Sequence, residues 1–503
     1  MGLPPLIGRL RIDRIEDKKM KLEQLIENLD YSLIQGKIDI EVSDIIYDSR
    51  KVVPATVFLC ISGTQTDAHQ YIPAALEQGA NAVVVEKDVE VPKYVTVIKV
   101  EKARYALAVM AEAYFDHPSS KMTTIGLTGT KGKTTVSYMI QHILETAGKK
   151  VGVIGTNGVV IDGQQYETAN TTPESYQVQK FFSMMVEAGC EYAIMEVSSQ
   201  GLMMDRVAGF TFDIGLFTNL SQDHIGPNEH SSFDEYMYYK SLLFQRCKVG
   251  IINRDDSHAD AMIQEATCQV KTYGFGEQDD FRASDMELTK GENYLGVAFD
   301  LNGVAEGKIE ISIPGRFSVY NGLAATATAV QLNISMEAIK KALSTIQVKG
   351  RVEIVPTNSN YSMIIDYAHN GVSTVSVLST LREYEPKRLI ALFGCGGNRS
   401  KDRRYDMGEA AGSIADFCII TADNNRFEDV EDIMADIEIG LKRGTCDYIK
   451  IPDRTDAIHY AMDHAKEGDV YVLLGKGHEE YNEIKGVKYP YSERAIIEAY
   501  RKR

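Results

Sequence analysis

The chain has 503 residues, 44% hydrophobic and 25% charged, the balance of a soluble globular protein too long for a single core. Its net charge of −17 argues against a nucleic-acid coat, which needs a basic stripe, yet leaves room for local lysines and arginines that gather small anions. Seven scattered cysteines without metal-type pairing suit reduced thiols, and no apolar run reaches the length of a membrane span.

The opening MGLPPLIGRLRIDRIEDKK sets charges inside a short apolar patch and lacks a cleavage-type site, so no signal peptide is expected. Met20 begins a more usual protein start, which leaves residues 1–19 as an extension, either mobile or derived from an upstream start. A first domain is expected over 20–118. Within it 58–61 and 82–85 read as strands, and 71–78 and 103–114 as helices. The connecting run DSRKVVPATVFLCISGTQTDAHQYI carries Ser49, Arg50, Thr64, Gln65, Thr66 and His69 on loops, where such side chains are ordinarily solvated. His117-Pro118-Ser119-Ser120 marks the boundary.

Residues 119–347 are expected to form a middle domain around MTTIGLTGTKGKTT at 122–135. Ile125 and Leu127 belong to an apolar run that suits a buried parallel strand. Gly129 and Gly132 allow a tight loop. Lys133, Thr134 and Thr135 then open a segment with apolar Val136, Met139, Ile140, Ile143, Leu144 and Ala147 at helical spacing, closed by Gly148. Strand, glycine loop and helix form a phosphate cradle: loop amides and the helix N-terminus face the anion, Lys133 reaches the outer phosphates, and a threonine hydroxyl holds magnesium. The spacing departs from the strict pattern, with Leu127 where the first glycine is usual.

Further strands are read at 151–154, 192–197, 212–220 and 250–253. Two of them end in candidate ligands: Glu196, Ser198 and Ser199 after one, Asn219, Asp223 and His224 after the other. Ligands collect at the carboxyl ends of parallel strands. Thr134, Glu196 and His224 can complete a magnesium shell with ATP phosphates, although imidazole is not the preferred ligand. A helix over 233–246 puts Tyr236 and Lys240 one turn apart, and a lysine there is ordinarily solvated. The stretch 279–301 alternates like a side sheet. A helix over 315–330 carries Asn321, which either reads a base or caps a turn.

Residues 348–503 repeat the alternating plan. Strands at 363–365, 389–393, 417–421 and 470–474 end in DYAHN, GCGGNRSKDRR, ADNNR and GKGHEE. This is the pattern of a doubly wound sheet with a ligand edge. The cluster Arg399, Arg403, Arg404 and Arg426 suits carboxylates.

Taken in order, DSR, GTQTD, TGTKGKTT, NTTPE, EVSSQGLMMDRV, TNLSQDH, YKSLLF, DYAH, FGCGGNR, DNNR and GKGHE resemble the Mur ligase family of ATP-dependent amide-bond formers, from about Ser43 to the C-terminus. The resemblance implies three α/β domains: a small N-terminal UDP-binding domain, a central P-loop ATPase-like parallel-sheet domain and a C-terminal Rossmann-like domain. It implies a ligase that phosphorylates the D-glutamyl carboxylate of UDP-N-acetylmuramoyl-L-alanyl-D-glutamate with ATP, then lets the amine of a third amino acid attack the acyl phosphate. Ser49, Thr64, Gln65, Thr66, Asn170, Thr171, Thr172, Ser198 and Arg206 would hold the muramoyl dipeptide. Gly129, Thr130, Lys131, Gly132, Lys133, Thr134 and Thr135 would hold the ATP phosphates, with Asn321, Arg351, Asp366 and His369 contacting the rest of the nucleotide. Lys133, Glu196, His224 and Lys240 would carry catalysis. Thr134 and Glu196 would bind one magnesium, and His224 and Lys240 a second, the lysine as its carbamate. Arg399, Asp423, Asn424, Asn425, Arg426, Gly475 and Glu479 would bind the incoming amino acid.

Arginine at the end of the DNNR motif implies meso-diaminopimelate, with L-lysine as the alternative. Departures from the family pattern stand at Gln200, Met204, Ser318, Asn370-Gly371, Asn398 and Asn425, the last where the selector loop has proline. The expected partners are small molecules, without nucleic acid or a membrane span, for a cytoplasmic monomer. Two rivals remain: a folylpolyglutamate synthetase-like ligase, which lacks the DSR and GTQTD segment, and a non-catalytic nucleotide-binding relative.

Overall fold

The computed structural model describes residues 19–63, 66–223, 225–226, 229–291, 294–357 and 360–502. Thr64, Gln65 and His224, and nearly all of the extension expected over 1–19, lie outside the described residues. The chain divides into two compact units, one of residues 1–134, 149–252 and 256–271, the other of 135–148, 253–255 and 272–503.

In the first unit the N-terminal sheet runs in the order Ser32–Gln35, Thr96–Lys99, Ala82–Val85, Val57–Leu59, Ile45–Ile46. Its inner pairs are parallel and only the Ser32–Gln35 edge is antiparallel. Ala82–Val85 is buried at every residue, as a strand covered on both faces must be. Helix Ala103–Tyr114 buries Ala103, Ala106, Leu107 and Met110 beside Leu22 and Leu25 in one core, while Ile72 and Ala75 of helix Ile72–Glu77 fill another. His69, expected on a solvated turn, is buried instead. Its Nδ1 lies 2.5 Å from Asp67 Oδ1, and Nε2 accepts the Glu86 amide at 3.1 Å, so both ring nitrogens are satisfied without water.

The same unit carries the strands around the glycine loop. Thr123–Thr128 lies between Tyr192–Glu196 and Phe212–Phe217, all parallel. Val151–Gly155 lies beyond Tyr192–Glu196, so the chain skips a position outward and then returns. That reversal of order opens a crevice at the carboxyl end of Thr123–Thr128, where ligands bind in such sheets. The helix expected over 233–246 ends sooner, at Ser241, and tightens into a 3-10 turn, Leu242–Gln245.

In the second unit, Phe281–Gly291, Tyr294–Gly303 and Gly307–Ile311 form an antiparallel meander, but Phe281 and Arg282 pair in parallel with Tyr273 and Gly274, so the expected side sheet is the continuation of a larger sheet. Beyond it a six-stranded sheet runs Glu353–Val355, Ser362–Asp366, Asp469–Leu474, Arg388–Phe393, Phe417–Ile420, Asp447–Lys450. All but the first strand are parallel. Helices Gly371–Arg382, Lys401–Ile414 and Val430–Leu441 pack Leu378, Leu381, Met407 and Ile437 into one core, and Ala457, Ile458 and Ile497 of Arg454–Asp463 and Glu493–Tyr500 fill another. The sheet is therefore doubly wound, and its polar loops leave from adjacent strand ends.

Candidate active site

In the first unit the site is built on the loop after Thr123–Thr128. Gly129 has φ 142°, and a Cβ there would stand 2.0 Å from the Thr218 hydroxyl, so no other residue fits. The loop is tied to the neighbouring strand end: the Thr130 amide donates to Asn219 O at 2.8 Å, the Lys131 amide to Asn219 Oδ1 at 2.9 Å, and the Thr218 hydroxyl to Lys131 O at 2.7 Å. Lys133 folds over this loop, its Nζ 2.7 Å from Gly129 O and 3.3 Å from Thr130 O.

Lys240 corrects the expectation of a solvated side chain. It is 2% exposed, donates to the same Gly129 carbonyl at 2.8 Å and sits 4.6 Å from the centre of the Tyr236 ring. Burial, then the neighbouring Lys133 charge, holds its pKa well below the usual lysine range, opposed by Asp223.

Glu196 ends its strand with a carboxylate that is almost fully buried. Its Oε2 accepts the Thr134 hydroxyl at 3.2 Å and the Thr156 hydroxyl at 2.9 Å, and Oε1 accepts the Thr156 amide at 3.2 Å. A carboxylate facing a hydroxyl at the start of the loop helix is an oxygen donor pair of the kind magnesium takes, so these residues fit that ion. Around Glu196 lie several residues expected to hold the dipeptide. The Thr172 hydroxyl donates to Glu196 O at 2.9 Å and accepts the Ser198 amide at 2.9 Å; Thr171 Oγ1 is 3.3 Å from Thr156 Oγ1. Arg206 donates to Thr172 O at 3.1 Å and to Glu174 at 3.0 Å. Glu174 also takes Arg104 of the N-terminal helix at 3.0 Å. Asn170, which precedes Thr171 in the chain, is exposed. Ser49 opens the short 3-10 helix Ser49–Lys51 and Thr66 sits on a loop, and among the described residues no hydrogen bond joins them to the Glu196 group. Sequence reasoning missed Thr156, which lies directly after the glycine that ends Val151–Gly155.

In the second unit Asn321 is buried on helix Arg316–Gln331. Asp366 is buried at its strand end, where it accepts the Val352 and Ala368 amides, each at 2.7 Å, and burial raises its pKa. His369 Nδ1 lies 2.8 Å from Tyr367 O, and Arg351 stacks 4.9 Å from the centre of the Tyr367 ring. Arg351, Asp366 and His369 are thus brought together around Tyr367.

The loops holding GCGGNR, ADNNR and GKGHEE are interlocked. The Gly397 amide donates to Asn424 O at 2.9 Å, and a Cβ on Gly397 would lie 2.0 Å from Asn425 O. Asn398 Oδ1 accepts the Phe427 amide at 3.2 Å, and Asn425 Nδ2 donates to Glu428 O at 3.0 Å. Asn424 Nδ2 donates to Glu479 Oε2 at 2.7 Å. Arg426, with φ 49°, donates to Gly397 O at 2.8 Å and to Glu483 at 3.0 Å. Asp423 and Gly475 face each other across the strand ends, and Arg399 is exposed.

Two residues overturn or extend the expected arginine cluster. Arg404 does not face the loops as a free fork: it is 1% exposed and bonds Asp436 and Glu428 at 2.8–2.9 Å, an internal support. Lys476 was not singled out, yet it is fully buried, with Nζ 3.1 Å from Asn424 Oδ1, 2.9 Å from Tyr481 O and 3.4 Å from Asp423. In the sequence it stands between the two glycines of GKGHEE, where a turn with a solvated lysine is the ordinary reading.

Three family descriptions match the chain in succession: the Mur ligase family catalytic domain over 41–115, the Mur ligase middle domain over 127–329, and the Mur ligase glutamate ligase domain over 350–477. The chain belongs to the Mur ligase family. Among relatives, it is 43% identical over 481 residues to the UDP-N-acetylmuramoyl-L-alanyl-D-glutamate--2,6-diaminopimelate ligase of Caldanaerobacter subterraneus subsp. tengcongensis, covering 95% of this chain and 98% of that protein. It is 41% identical over 489 residues to ligase 1 of the same name from Clostridium acetobutylicum, covering 96% and 99%. A solved structure of a UDP-N-acetylmuramoyl-L-alanyl-D-glutamate--2,6-diaminopimelate ligase superposes with a TM-score of 0.74 at 29% identity, covering 96% of this chain and 99% of that one. As a Mur ligase the chain is an ATP-dependent, amide-bond-forming enzyme of three-domain α/β architecture. Among the described residues, no helix is long and apolar enough to cross a membrane.

Proposed function

We propose that this ligase adds meso-2,6-diaminopimelate to UDP-N-acetylmuramoyl-L-alanyl-D-glutamate, the third-residue step of peptidoglycan precursor synthesis. The end-to-end match to relatives named for that reaction carries the reading. The same match runs through the DSR and GTQTD segment, which a folylpolyglutamate synthetase-like enzyme lacks, and so favours a muramoyl substrate. The enzyme works on small molecules in the cytoplasm, and one chain supplies every residue invoked.

Each role follows from charge. The dipeptide carboxylate and the ATP γ-phosphate repel each other, so positioning and neutralisation dominate catalysis. Lys133 swings from the Gly129 carbonyl to the outer phosphates, while the amides of Gly129, Thr130, Lys131 and Gly132 and the first helical turn with Thr134 and Thr135 cradle them. One magnesium would be held by Thr134 and Glu196 and a second by His224 and the carbamate of Lys240, and the two would supply the neutralisation that lets two anions approach. A neutral amine is the form that takes up carbon dioxide, and burial, then the Lys133 charge, shifts Lys240 toward that form. Ser49, Thr64, Gln65, Thr66, Asn170, Thr171, Thr172, Ser198 and Arg206 hold the muramoyl dipeptide. Asn321, Arg351, Asp366 and His369 serve the nucleotide. Arg399, Asp423, Asn424, Asn425, Arg426, Gly475 and Glu479 orient the diamino acid so that one amine meets the acyl phosphate.

The purified enzyme, offered meso-diaminopimelate, L-lysine and L-ornithine side by side with ATP and the dipeptide precursor, should form ADP and tripeptide with the first. Turnover with L-lysine in its place would overturn the assignment, and ADP release with none would support a non-catalytic relative.

A further inference from the structure

Arg426 is already half-engaged. Its Nε donates to Glu483 Oε2 at 3.0 Å and its Nη1 to Gly397 O at 2.8 Å, while Nη2 has no hydrogen-bond partner among the described residues. Glu483 shows the mirror image. Oε2 takes the guanidinium, and Oε1 is unpartnered among the described residues. The two side chains are 22% and 24% exposed, low enough to weaken screening yet open to a ligand.

The backbone fixes the pair as well. The Arg426 amide donates to Glu483 O at 3.0 Å, and the Glu483 amide donates to Asn424 Oδ1 at 2.8 Å. Lys485 N donates to Arg426 O at 2.8 Å, so the DNNR loop and the hairpin strand Tyr481–Ile484 form a local ladder. Asn424 in turn bonds Glu479. The result is a free donor edge beside a free anionic acceptor, both held on rigid backbone. A guanidinium alone accepts any ligand ending in a carboxylate. A guanidinium with an adjacent carboxylate matches a group that carries both charges, the zwitterionic end of an α-amino acid.

We infer that Glu483 is a specificity-determining residue. It receives the distal ammonium of the diamino acid while Arg426 receives the distal carboxylate, so the loop reads a whole amino-acid terminus rather than one charge. This rests on the proposed reaction and says how its third substrate is chosen. L-Lysine offers the ammonium without the carboxylate, and 2-aminopimelate offers the carboxylate without the ammonium. Each leaves one charged partner unanswered, the condition under which a polar site discriminates most strongly.

The test measures ligation of meso-diaminopimelate, 2-aminopimelate and L-lysine by the full-length enzyme and by Glu483→Gln, which keeps the side chain's size and its backbone bonds. Wild type should favour meso-diaminopimelate over both analogues. In Glu483→Gln the KM for meso-diaminopimelate should rise about 10- to 100-fold, the loss of a hydrogen bond to a charged group, while the KM for 2-aminopimelate and for ATP stays within about 2-fold. An equal rise for both pimelates would overturn the inference, since Glu483 would then act only by holding Arg426. Equal use of the two pimelates by wild type would also overturn it, with the proposed reaction intact. Wild-type turnover of L-lysine without any of meso-diaminopimelate would instead remove the proposed reaction itself. A melting curve of Glu483→Gln matching wild type shows that any change in KM is local.

Discussion

Arg454 offers a direct measure of what holds the amino-acid loops in place. Its side chain and that of Glu493 are each 2% exposed. The guanidinium donates to Glu493 Oε1 at 2.8 Å, to Ala422 O at 3.0 Å and to Leu474 O at 2.9 Å. Ala422 and Leu474 directly precede Asp423 and Gly475, so one cation closes two strand ends that carry ligand loops. Arg454→Met keeps the volume and removes the charge. The buried Glu493 carboxylate then loses its hydrogen-bonded cation and keeps only the weaker field of Lys476, and a broken buried pair costs about 3–5 kcal/mol. In a domain of roughly 150–250 residues each kcal/mol moves the melting midpoint by about 2–4 °C, so the transition of this region should fall by roughly 6–20 °C. Differential scanning calorimetry reads the shift, and hydrogen exchange over 417–425 and 470–480 locates it. Adding Glu493→Leu should restore part of the loss, because removing both charges is far milder than stranding one. A single variant that melts within about 1 °C of wild type would refute the reasoning.

Other outcomes are equally specific. Lys133→Ala should lower kcat for ADP formation by about 100- to 1000-fold, the scale of one lost electrostatic contact to a developing charge, and near-normal turnover would remove the phosphate-loop role. Lys240→Ala should be nearly inactive and partly rescued by a short-chain carboxylic acid; full activity without the acid would exclude the carbamate. Arg426→Ala should raise the KM for diaminopimelate about 10- to 100-fold and leave that for ATP near wild type, and equal effects on both would exclude a selector role. Burial, then the charges of Arg351 and Lys349, holds His478 down at about 4 against an ordinary 6.5. The unfolded chain takes up that proton below 6.5 while the folded chain resists until about 4, so stability is lost as pH falls through this window. His478→Gln should flatten that part of the melting profile, and an unchanged slope would exclude His478 as its source.

The parts of the fold that depend on local pattern were legible in the sequence. The bounds of Ala82–Val85 and Ala103–Tyr114 follow from apolar runs and helical period, and the helix Lys133–Thr146 opens at the lysine the glycine loop predicts. What escaped depends on partners far along the chain. Lys240 looks like a surface residue of its helix, yet its Nζ is claimed by the Gly129 carbonyl, 111 residues away. Arg404 looks like a member of a ligand-facing cluster until Asp436 and Glu428 claim it. Glu483 sits in an unremarkable hairpin, and its meeting with Arg426 spans 57 residues. Spacing identifies which residues are able to do chemistry; packing decides which charges are left free to do it.

The near-contact between Gly397 and the Asn425 carbonyl carries a practical message for re-engineering amino-acid choice. Any side chain larger than hydrogen at 397 displaces the neighbouring segment, and any change of course at 425 has no slack to absorb it. Transplanting a single motif from a lysine-using enzyme should therefore yield a poor catalyst. The two segments, with the hairpin that clasps them, form one cassette to be exchanged together.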